Sequence, residues 1–466
     1  MEQLDYSKEF KHVHFIGIGG IGMSAVAEVM LERGFQISGS DLNESDQVQM
    51  LRNRGANVNV PQRAENITDD IDIVVRSTAI HESNIEYRAA VEKGIPVVHR
   101  SEMLGYLMQT QKAICVAGSH GKTTTSSMIA LALEKNGLDP TIVVGGVISD
   151  IGSNAKNGKG DWFVAEADES DGSFINLLPW YAVITNIEED HLDHYKDIEE
   201  IRESFKKFLN KTNNDGRALL CADNDESFGI ASQCPVPMKT YGFHERSQYR
   251  IKNHKQTGMK NEADIYNGDR FLGHLELQVP GRHNIANATA AVVVGMDVGL
   301  TFEEIASVLK DYKGTRRRFQ LQGEVDGIAV YDDYAHHPTE IAATLEAARA
   351  VGAERVVAIF QPHRYSRTQF LAKEFASALS QADEVALLDV FPAGEAPIEG
   401  VSSQLIVDHI NEIAPEKHCQ VVNDEYLTNG FISRLKPGDL VLVLGAGSIW
   451  KQAPLIVKAL EEHKAK

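Results

Sequence analysis

Two glycine-rich segments are the residues of this chain best suited to chemistry, because each follows a short apolar run and opens a helical stretch. The first, Gly17-Ile18-Gly19-Gly20-Ile21-Gly22, fits GxGxxG, and Asp41 stands at the end of the next strand, about 20 residues on. Glycines in that pattern let the backbone turn tightly and approach a diphosphate at a helix N-terminus. Gly17, Gly19, Gly20, Gly22 and Asp41 are therefore candidate ligand-binding residues. A dinucleotide or a UDP-sugar would supply the same diphosphate, and a ligand-free turn would use the same glycines. The second segment is Gly118-Ser119-His120-Gly121-Lys122-Thr123-Thr124-Thr125. Lys122 would place a cation at the β- and γ-phosphates of a nucleotide, and Thr123 would offer its hydroxyl to Mg2+. The longer GxxxxGK[ST] pattern is incomplete, since Val116 stands where its first glycine would be. Two phosphate-gripping loops call for two nucleotide-type ligands. Hydride transfer would leave the second loop idle; phosphoryl transfer would use it.

The elements that must position these loops read as α/β throughout, short apolar runs alternating with helical stretches. The first strand is His12–Gly17, followed by a helix with Ile21, Ala25 and Val29 at four-residue spacing and Gly34 as its C-terminal glycine. Strands at Phe35–Gly39 and Ile71–Arg76 continue the first domain, which is expected over residues 1–108. A second, over 109–319, opens with the strand Ala113–Ala117 and holds strands Trp162–Glu166, Tyr181–Asn186 and Arg217–Ala222. Its more polar stretch Phe243–Leu277 suggests hairpins. A third, over 320–466, contains strands Ile328–Asp332, Arg355–Phe360, Glu384–Asp389 and Leu440–Leu444. The expected architecture is an N-terminal Rossmann-like domain, a central P-loop ATPase-like domain and a C-terminal Rossmann-like domain.

Composition agrees with three such cores. At 466 residues the chain has room for about three domains of roughly 100–200 residues. A formal charge of −20 argues against general nucleic-acid binding, which needs clustered cations. It does not exclude anionic ligands, which backbone amides and a few local cations can hold. Cys115, Cys221, Cys234 and Cys419 are widely spaced, without the pairing pattern of a disulfide framework or zinc site. The N-terminal stretch carries no apolar signal core, and no run of about 18 apolar residues is present. A cytoplasmic protein that spans no membrane is expected.

The order of several further segments resembles the Mur ligase family. After GIGGIGMS at Gly17–Ser24 and AGSHGKTTT at Ala117–Thr125 come EADESDGSF at Glu166–Phe174 and TNIEEDHLDHY at Thr185–Tyr195. GRHN at Gly281–Asn284, RRRF at Arg316–Phe319, DDYAHHPTE at Asp332–Glu340, FQPHRYSRT at Phe360–Thr368 and GAGSIW at Gly445–Trp450 follow. The resemblance covers nearly the whole chain. Ser119 is a small departure, since the family often has Thr there, and a hydroxyl is retained.

Within the family the pattern looks most like the members that add L-alanine to UDP-N-acetylmuramate. The resemblance implies ATP and Mg2+ as cofactors and transfer of the γ-phosphoryl group to the muramate carboxylate. The amine of L-alanine then attacks the resulting acyl phosphate. It implies that Gly118, Ser119, His120, Gly121, Lys122, Thr123 and Thr124 hold ATP, with His283 and Asn284 at the adenine and Asp333 at the ribose. Glu166 resembles the Mg2+ carboxylate beside Thr123, although EADESD by itself would also suit a solvated acidic loop. His191 looks like the ligand of a second Mg2+, an unusual one because Mg2+ prefers oxygen. Asn284 also suits an N-cap for the helix through Ala288–Gly295. Arg318 is the cation assigned to the transferring phosphate, though Arg316 and Arg317 are open alternatives. Tyr334, His336, Arg364 and Arg367 match the positions that hold the amino acid. Pro338 suits the first turn of a helix from Thr339, which leaves the paired histidines before it unexplained.

Three rival readings differ in what they explain. An NAD-dependent oxidoreductase leaves Gly118–Thr125 and the third domain without a purpose. A ligase that recycles a murein tripeptide onto the same UDP-sugar fits GIGGIGMS less well. A catalytically dead ATP-binder would be expected to have lost Lys122, Glu166 or His336, all of which are present.

Overall fold

The structure, a computed structural model, describes residues 10–192 and 194–464. Asp193 of the TNIEEDHLDHY segment and the start of the N-terminal stretch lie outside the described residues. Three sheets carry the fold.

The first sheet is wholly parallel. Its strands β1 (His12–Ile16), β2 (Gln36–Ser40), β3 (Asn57–Asn59), β4 (Ile73–Arg76) and β5 (Val97–His99) lie in the order β3-β2-β1-β4-β5. Strand order reverses at β1, and the first glycine loop leaves the C-terminal end of that strand, the place where open α/β sheets bind ligands. The helix Ile21–Glu32 follows, burying Val26, Val29 and Met30. Gly34, with φ +90°, ends it as the spacing predicts.

The central sheet has ten strands: β6 (Lys112–Ala117), β7 (Thr141–Ile148), β8 (Ser153–Lys156), β9 (Trp162–Glu166), β10 (Tyr181–Ile184), β11 (Arg217–Cys221), β12 (Met238–Gly242), β13 (Tyr249–Thr257), β14 (Lys260–Asn267) and β15 (Arg270–Leu277). Their order is β15-β14-β13-β12-β11-β10-β6-β9-β7-β8. The last three strands fill the stretch expected to form hairpins. The β7–β8 hairpin is a feature the residue pattern did not reveal. β6 lies between β10 and β9, so the loop after it is flanked by the ends of both. β10 stops at Ile184, two residues before the expected end, because Thr185 and Asn186 turn aside to bind the loop after β6.

The third sheet comprises β16 (Gln320–Val325), β17 (Ile328–Asp333), β18 (Arg355–Phe360), β19 (Glu384–Leu387), β20 (His418–Val421) and β21 (Asp439–Leu444). Its order is β16-β17-β21-β18-β19-β20, with only β16 antiparallel. Val357, Ile359, Val441 and Val443 are fully buried, the continuous apolar runs expected of a parallel sheet covered on both faces.

The chain divides into two compact units. One comprises residues 1–251, 266–272 and 287–309; the other comprises 252–265, 273–286 and 310–466. No helix among the described residues is long and apolar enough to cross a membrane.

Candidate active site

Both glycine loops end at helix N-termini that have no side-chain cap. Gly20 and Gly121 are the N-cap residues, whereas Ser45, Asn84 and Asp197 cap other helices of the same unit with their side chains. Uncapped amides at a helix start, aided by the helix dipole, suit an anion.

In the first loop Gly17 has φ +76°. The carboxylate of Asp41 reaches back to the loop, Oδ2 accepting from the Gly19 amide at 2.9 Å and Oδ1 from the Leu42 amide at 2.7 Å. A Cβ on Gly22 would stand 2.7 Å from Nη1 of Arg100, which lies just past the end of β5. The guanidinium is therefore packed over this loop, a cation that spacing in the sequence did not single out. Its only sequence signal is its position after an apolar run.

In the second loop only glycine fits at position 118, where φ is +139° and a Cβ would meet Thr185 Oγ1 at 2.0 Å. Ser119 accepts the Glu188 amide on its hydroxyl at 2.9 Å, and His120 Nε2 is 3.2 Å from a Glu188 carboxylate oxygen. The His120 amide donates to Asn186 Oδ1 at 2.8 Å. Gly121 faces Asn287, whose Oδ1 would be 2.9 Å from a Cβ at that position. Asn287 is a second residue the sequence reading missed; its signal was its position three residues after Asn284, on the same helix face.

Lys122 folds back over the loop. Its ammonium donates to the carbonyls of Gly118 and Ser119 at 2.6 and 3.2 Å and to Glu169 at 2.9 Å. Burial alone would lower its pKa, but the carboxylates of Glu169, Asp168 and Glu166 outweigh burial and hold it above its ordinary value. Thr123 donates its hydroxyl to Glu166 Oε2 at 2.8 Å, and the Gly145 amide donates to the same oxygen at 2.8 Å. The parallel register of β9 against β6 sets Glu166 opposite Val116, at the entrance to the loop. Burial raises the pKa of Glu166 despite Lys122 nearby. Thr124 sits in the first helical turn, half-buried.

His191 has φ +55°, in the left-handed region. Its Nε2 lies 3.6 Å from Glu169 Oε1 and 3.5 Å from Asp190 Oδ2. The residues around Thr123 fit Mg2+: a hydroxyl and a carboxylate converge, and three carboxylates share one ammonium, leaving excess negative charge for a hard cation.

The other unit gathers the remaining candidates. Asn284 does not cap a helix. The helix starts earlier, at Arg282, and the Asn284 carboxamide instead donates to Pro280 O at 2.6 Å. The exposed His283 ring packs against Gly281, where a Cβ would come within 2.4 Å of it. Asp333, at the end of β17, accepts the amides of Phe319 and Ala335 at 2.7 and 2.8 Å; burial raises its pKa to about 6.

Of the three arginines, Arg316 is exposed and Arg317 is engaged by Asp332 at 3.3 Å and by the Gly445 carbonyl at 2.5 Å. Arg318 lies over the Tyr334 ring, 3.7 Å from Glu340. Glu340 also sits 3.2 Å from His336 Nδ1, which is 3.1 Å from the Tyr334 carbonyl. A carbonyl can only accept, so Nδ1 is the donor in that contact. His337 is the N-cap of the helix Pro338–Val351, with Pro338 in its first turn, so one of the paired histidines serves the backbone. Arg364, with φ +72°, caps the short helix Tyr365–Phe370, which contains the buried Arg367.

Comparison with known proteins points to one family. Residues 12–112 match the Mur ligase family catalytic domain, 116–295 the Mur ligase middle domain and 317–447 the Mur ligase glutamate ligase domain. The UDP-N-acetylmuramate–L-alanine ligase of Pelotomaculum thermopropionicum is 49% identical over 97% of this chain and 98% of its own length. That of Desulforamulus reducens is 47% identical over 97% and 98%. The crystal structure of UDP-N-acetylmuramate–alanine ligase from Thermotoga maritima superposes with a TM-score of 0.82 at 28% identity, covering 98% of this chain and all of that one. With matches to all three component domains and full-length relatives near half identity, this chain belongs to the Mur ligase family.

Proposed function

We propose that the chain joins L-alanine to the carboxylate of UDP-N-acetylmuramate at the expense of ATP, through an acyl phosphate, in the cytoplasmic synthesis of peptidoglycan precursor. The observation that carries the reading is the arrangement at the second loop. Lys122 is aimed by the Gly118 carbonyl, and Thr123 is paired with Glu166, both at an uncapped helix N-terminus. That is equipment for phosphoryl transfer, in a chain whose full-length relatives are named as alanine ligases.

In this reading residues 1–108 take the UDP-sugar, with the amides of Gly17, Gly19, Gly20 and Gly22 at its diphosphate. Residues 109–319 take ATP, and 320–466 the amino acid. Thr123 and Glu166 would hold Mg2+, with His191 at a second ion; the metal supplies charge neutralisation on the phosphates and orientation of the γ-group. Lys122 and Arg318 stabilise negative charge on the transferring group. A carboxylate cannot lose its oxygen until that oxygen is phosphorylated, so phosphorylation precedes amide formation. Then the amine attacks the carbonyl and phosphate leaves. His283 and Asn284 contact the adenine and Asp333 the ribose. Arg364 and Arg367 grip the amino-acid carboxylate, and Tyr334 and His336 frame the rest.

Phosphate release with UDP-N-acetylmuramate, ATP and Mg2+, run against a panel of amino acids, tests the reading. Release should require both the UDP-sugar and an amino acid. Equal release from ATP alone would make the chain a simple ATPase, and a clear preference for the murein tripeptide would make it the recycling ligase.

A further inference from the structure

Glu169 belongs to no role assigned so far, yet it is the most tightly enclosed acid beside the ATP loop. Its side chain is 2% exposed, and its two carboxylate oxygens lie 2.9 and 2.8 Å from the Lys122 ammonium. The ammonium has three hydrogens, and Gly118 O, Ser119 O and Glu169 occupy them all. The backbone of Glu169 is pinned. Its carbonyl accepts from the buried Tyr195 hydroxyl at 2.6 Å and from the Gly172 amide at 3.0 Å. On its far side Oε1 lies 3.6 Å from His191 Nε2. His191 is held in a left-handed backbone conformation, with its amide on Asp190 Oδ1 at 2.7 Å. A non-glycine residue keeps that conformation only where surrounding contacts outweigh its cost.

These contacts raise a question of chemistry. An imidazole by itself is a poor ligand for Mg2+, which prefers oxygen. One pinned carboxylate between Lys122 and His191 answers it.

We propose that Glu169 is an exchangeable partner. In the nucleotide-free chain it holds the Lys122 ammonium back at the loop; once a triphosphate takes the ammonium, it is the oxygen ligand that completes the His191 site for a second divalent cation. No covalent step is involved, only exchange of ionic partners. The proposal rests on the ATP-site reading given above.

The test uses the full chain as wild type, Glu169→Gln, Glu169→Asp and Asp168→Asn, with folding checked by circular dichroism. The first readout is calorimetric binding of a non-hydrolysable ATP analogue in EDTA. Glu169→Gln should bind it about tenfold more tightly than wild type, because a state that sequesters the lysine has been removed. The second readout is Mn2+ bound in the presence of the analogue and UDP-N-acetylmuramate, counted by electron paramagnetic resonance. Wild type should hold two ions and Glu169→Gln one. Metal-free affinity that stays the same or falls, or a second Mn2+ that persists, overturns the proposal while the ATP site stands. A wild type that binds no analogue even with Mn2+ present overturns the ATP-site reading and this proposal with it.

Asp168→Asn removes a neighbouring charge but not this contact, so it should keep both ions. If it copies Glu169→Gln in both readouts, general charge accounts for the effect and Glu169 has no such role. Should Glu169→Gln not fold, Glu169→Asp carries the decision. Its shorter reach should weaken the second Mn2+ about tenfold and leave the first unchanged. An unaltered second ion then overturns the proposal.

Discussion

Thr123 and Gly145 hold one oxygen of Glu166 between them, the hydroxyl and the amide each 2.8 Å from Oε2. The carboxylate is thereby fixed beside the first turn of the helix that follows the loop. Gly145 can make this contact only because it has no side chain: a Cβ there would stand 2.5 Å from Oε2.

Gly145→Ala should therefore disable the metal site while sparing the fold. The obstructed atom is the end of a flexible side chain, so Glu166 swings away at little structural cost. The Mg2+ concentration for half-maximal phosphate release should rise roughly 10–100-fold, the scale for loss of a group that orients a metal ligand. A thermal melt should move little. Unchanged Mg2+ dependence would remove Glu166 from the metal site.

Lys122→Ala should lower turnover by at least two orders of magnitude, corresponding to roughly 3 kcal/mol by analogy with the loss of one oxyanion donor. UDP-N-acetylmuramate should still bind, since its diphosphate is assigned to Gly17–Gly22. The pH dependence of stability follows from the raised pKa of Lys122. Such a group stabilises the fold fully below its unfolded pKa and loses that contribution only as pH rises through the higher folded value. At neutral pH the contribution is intact, so the variant should melt lower than wild type there. The gap should be of equal size at pH 5 and pH 8, both well below the unfolded pKa of lysine. Melts at the two pH values decide it; no gap at either would show that Lys122 does not stabilise the fold.

Asp333 is a buried acid whose pKa is raised to about 6, and it serves two backbone amides. An acid with a raised folded pKa costs stability as pH rises from its unfolded value near 4 through about 6, because the folded state holds the proton longer. Wild type should lose stability across that window. Asp333→Asn should lack this loss and be destabilised overall by about 1–3 kcal/mol, since its amide nitrogen leaves one backbone donor without an acceptor. Chemical denaturation at pH 4.5 and pH 7.5 measures both effects. An Asn variant as stable as wild type at both would contradict the paired-amide account.

Amino-acid choice should follow the carboxylate and the size of the side chain. L-Alanine should be preferred, and L-leucine and L-phenylalanine should be poor because they would displace packed groups. Glycine lacks one methyl, worth about 1–3 kcal/mol or a factor of roughly 10–200, so glycine and L-serine should be used detectably. Arg367→Ala should weaken all amino acids together, since the carboxylate is common to them. Phosphate release with each amino acid, for wild type and variant, reads this out. Unchanged alanine dependence in Arg367→Ala would remove that residue from the site.

The amino-acid sequence determined by itself what local conformation governs. The glycine loops, the strands before them and Pro338 in the first turn of its helix are legible because strand, turn and helix follow one another within about a dozen residues. Their dihedral demands are written in residue type. The α/β class with three domains follows from the same alternation. The resemblance in motif order pointed to Lys122, Thr123, Glu166 and His191 and put Glu166 beside Thr123, but it did not give Glu169 on Lys122 or Gly145 on Glu166.

That was decided by sheet order. β9 and β10 flank β6, so Glu169 reaches Lys122 from 47 residues away and Gly145 meets Glu166 from 21. Nothing in the spacing of Glu169 distinguishes it from the other acids of EADESD. Only burial against Lys122 on one side and proximity to His191 on the other does so. Asn284 illustrates the converse. Its residue type predicts a cap, but the proline and glycine before it let the helix begin at Arg282, and the carboxamide turns to the Pro280 carbonyl instead. Residue type records which hydrogen bonds a side chain can make; the packing of distant strands and turns selects which of them it does make.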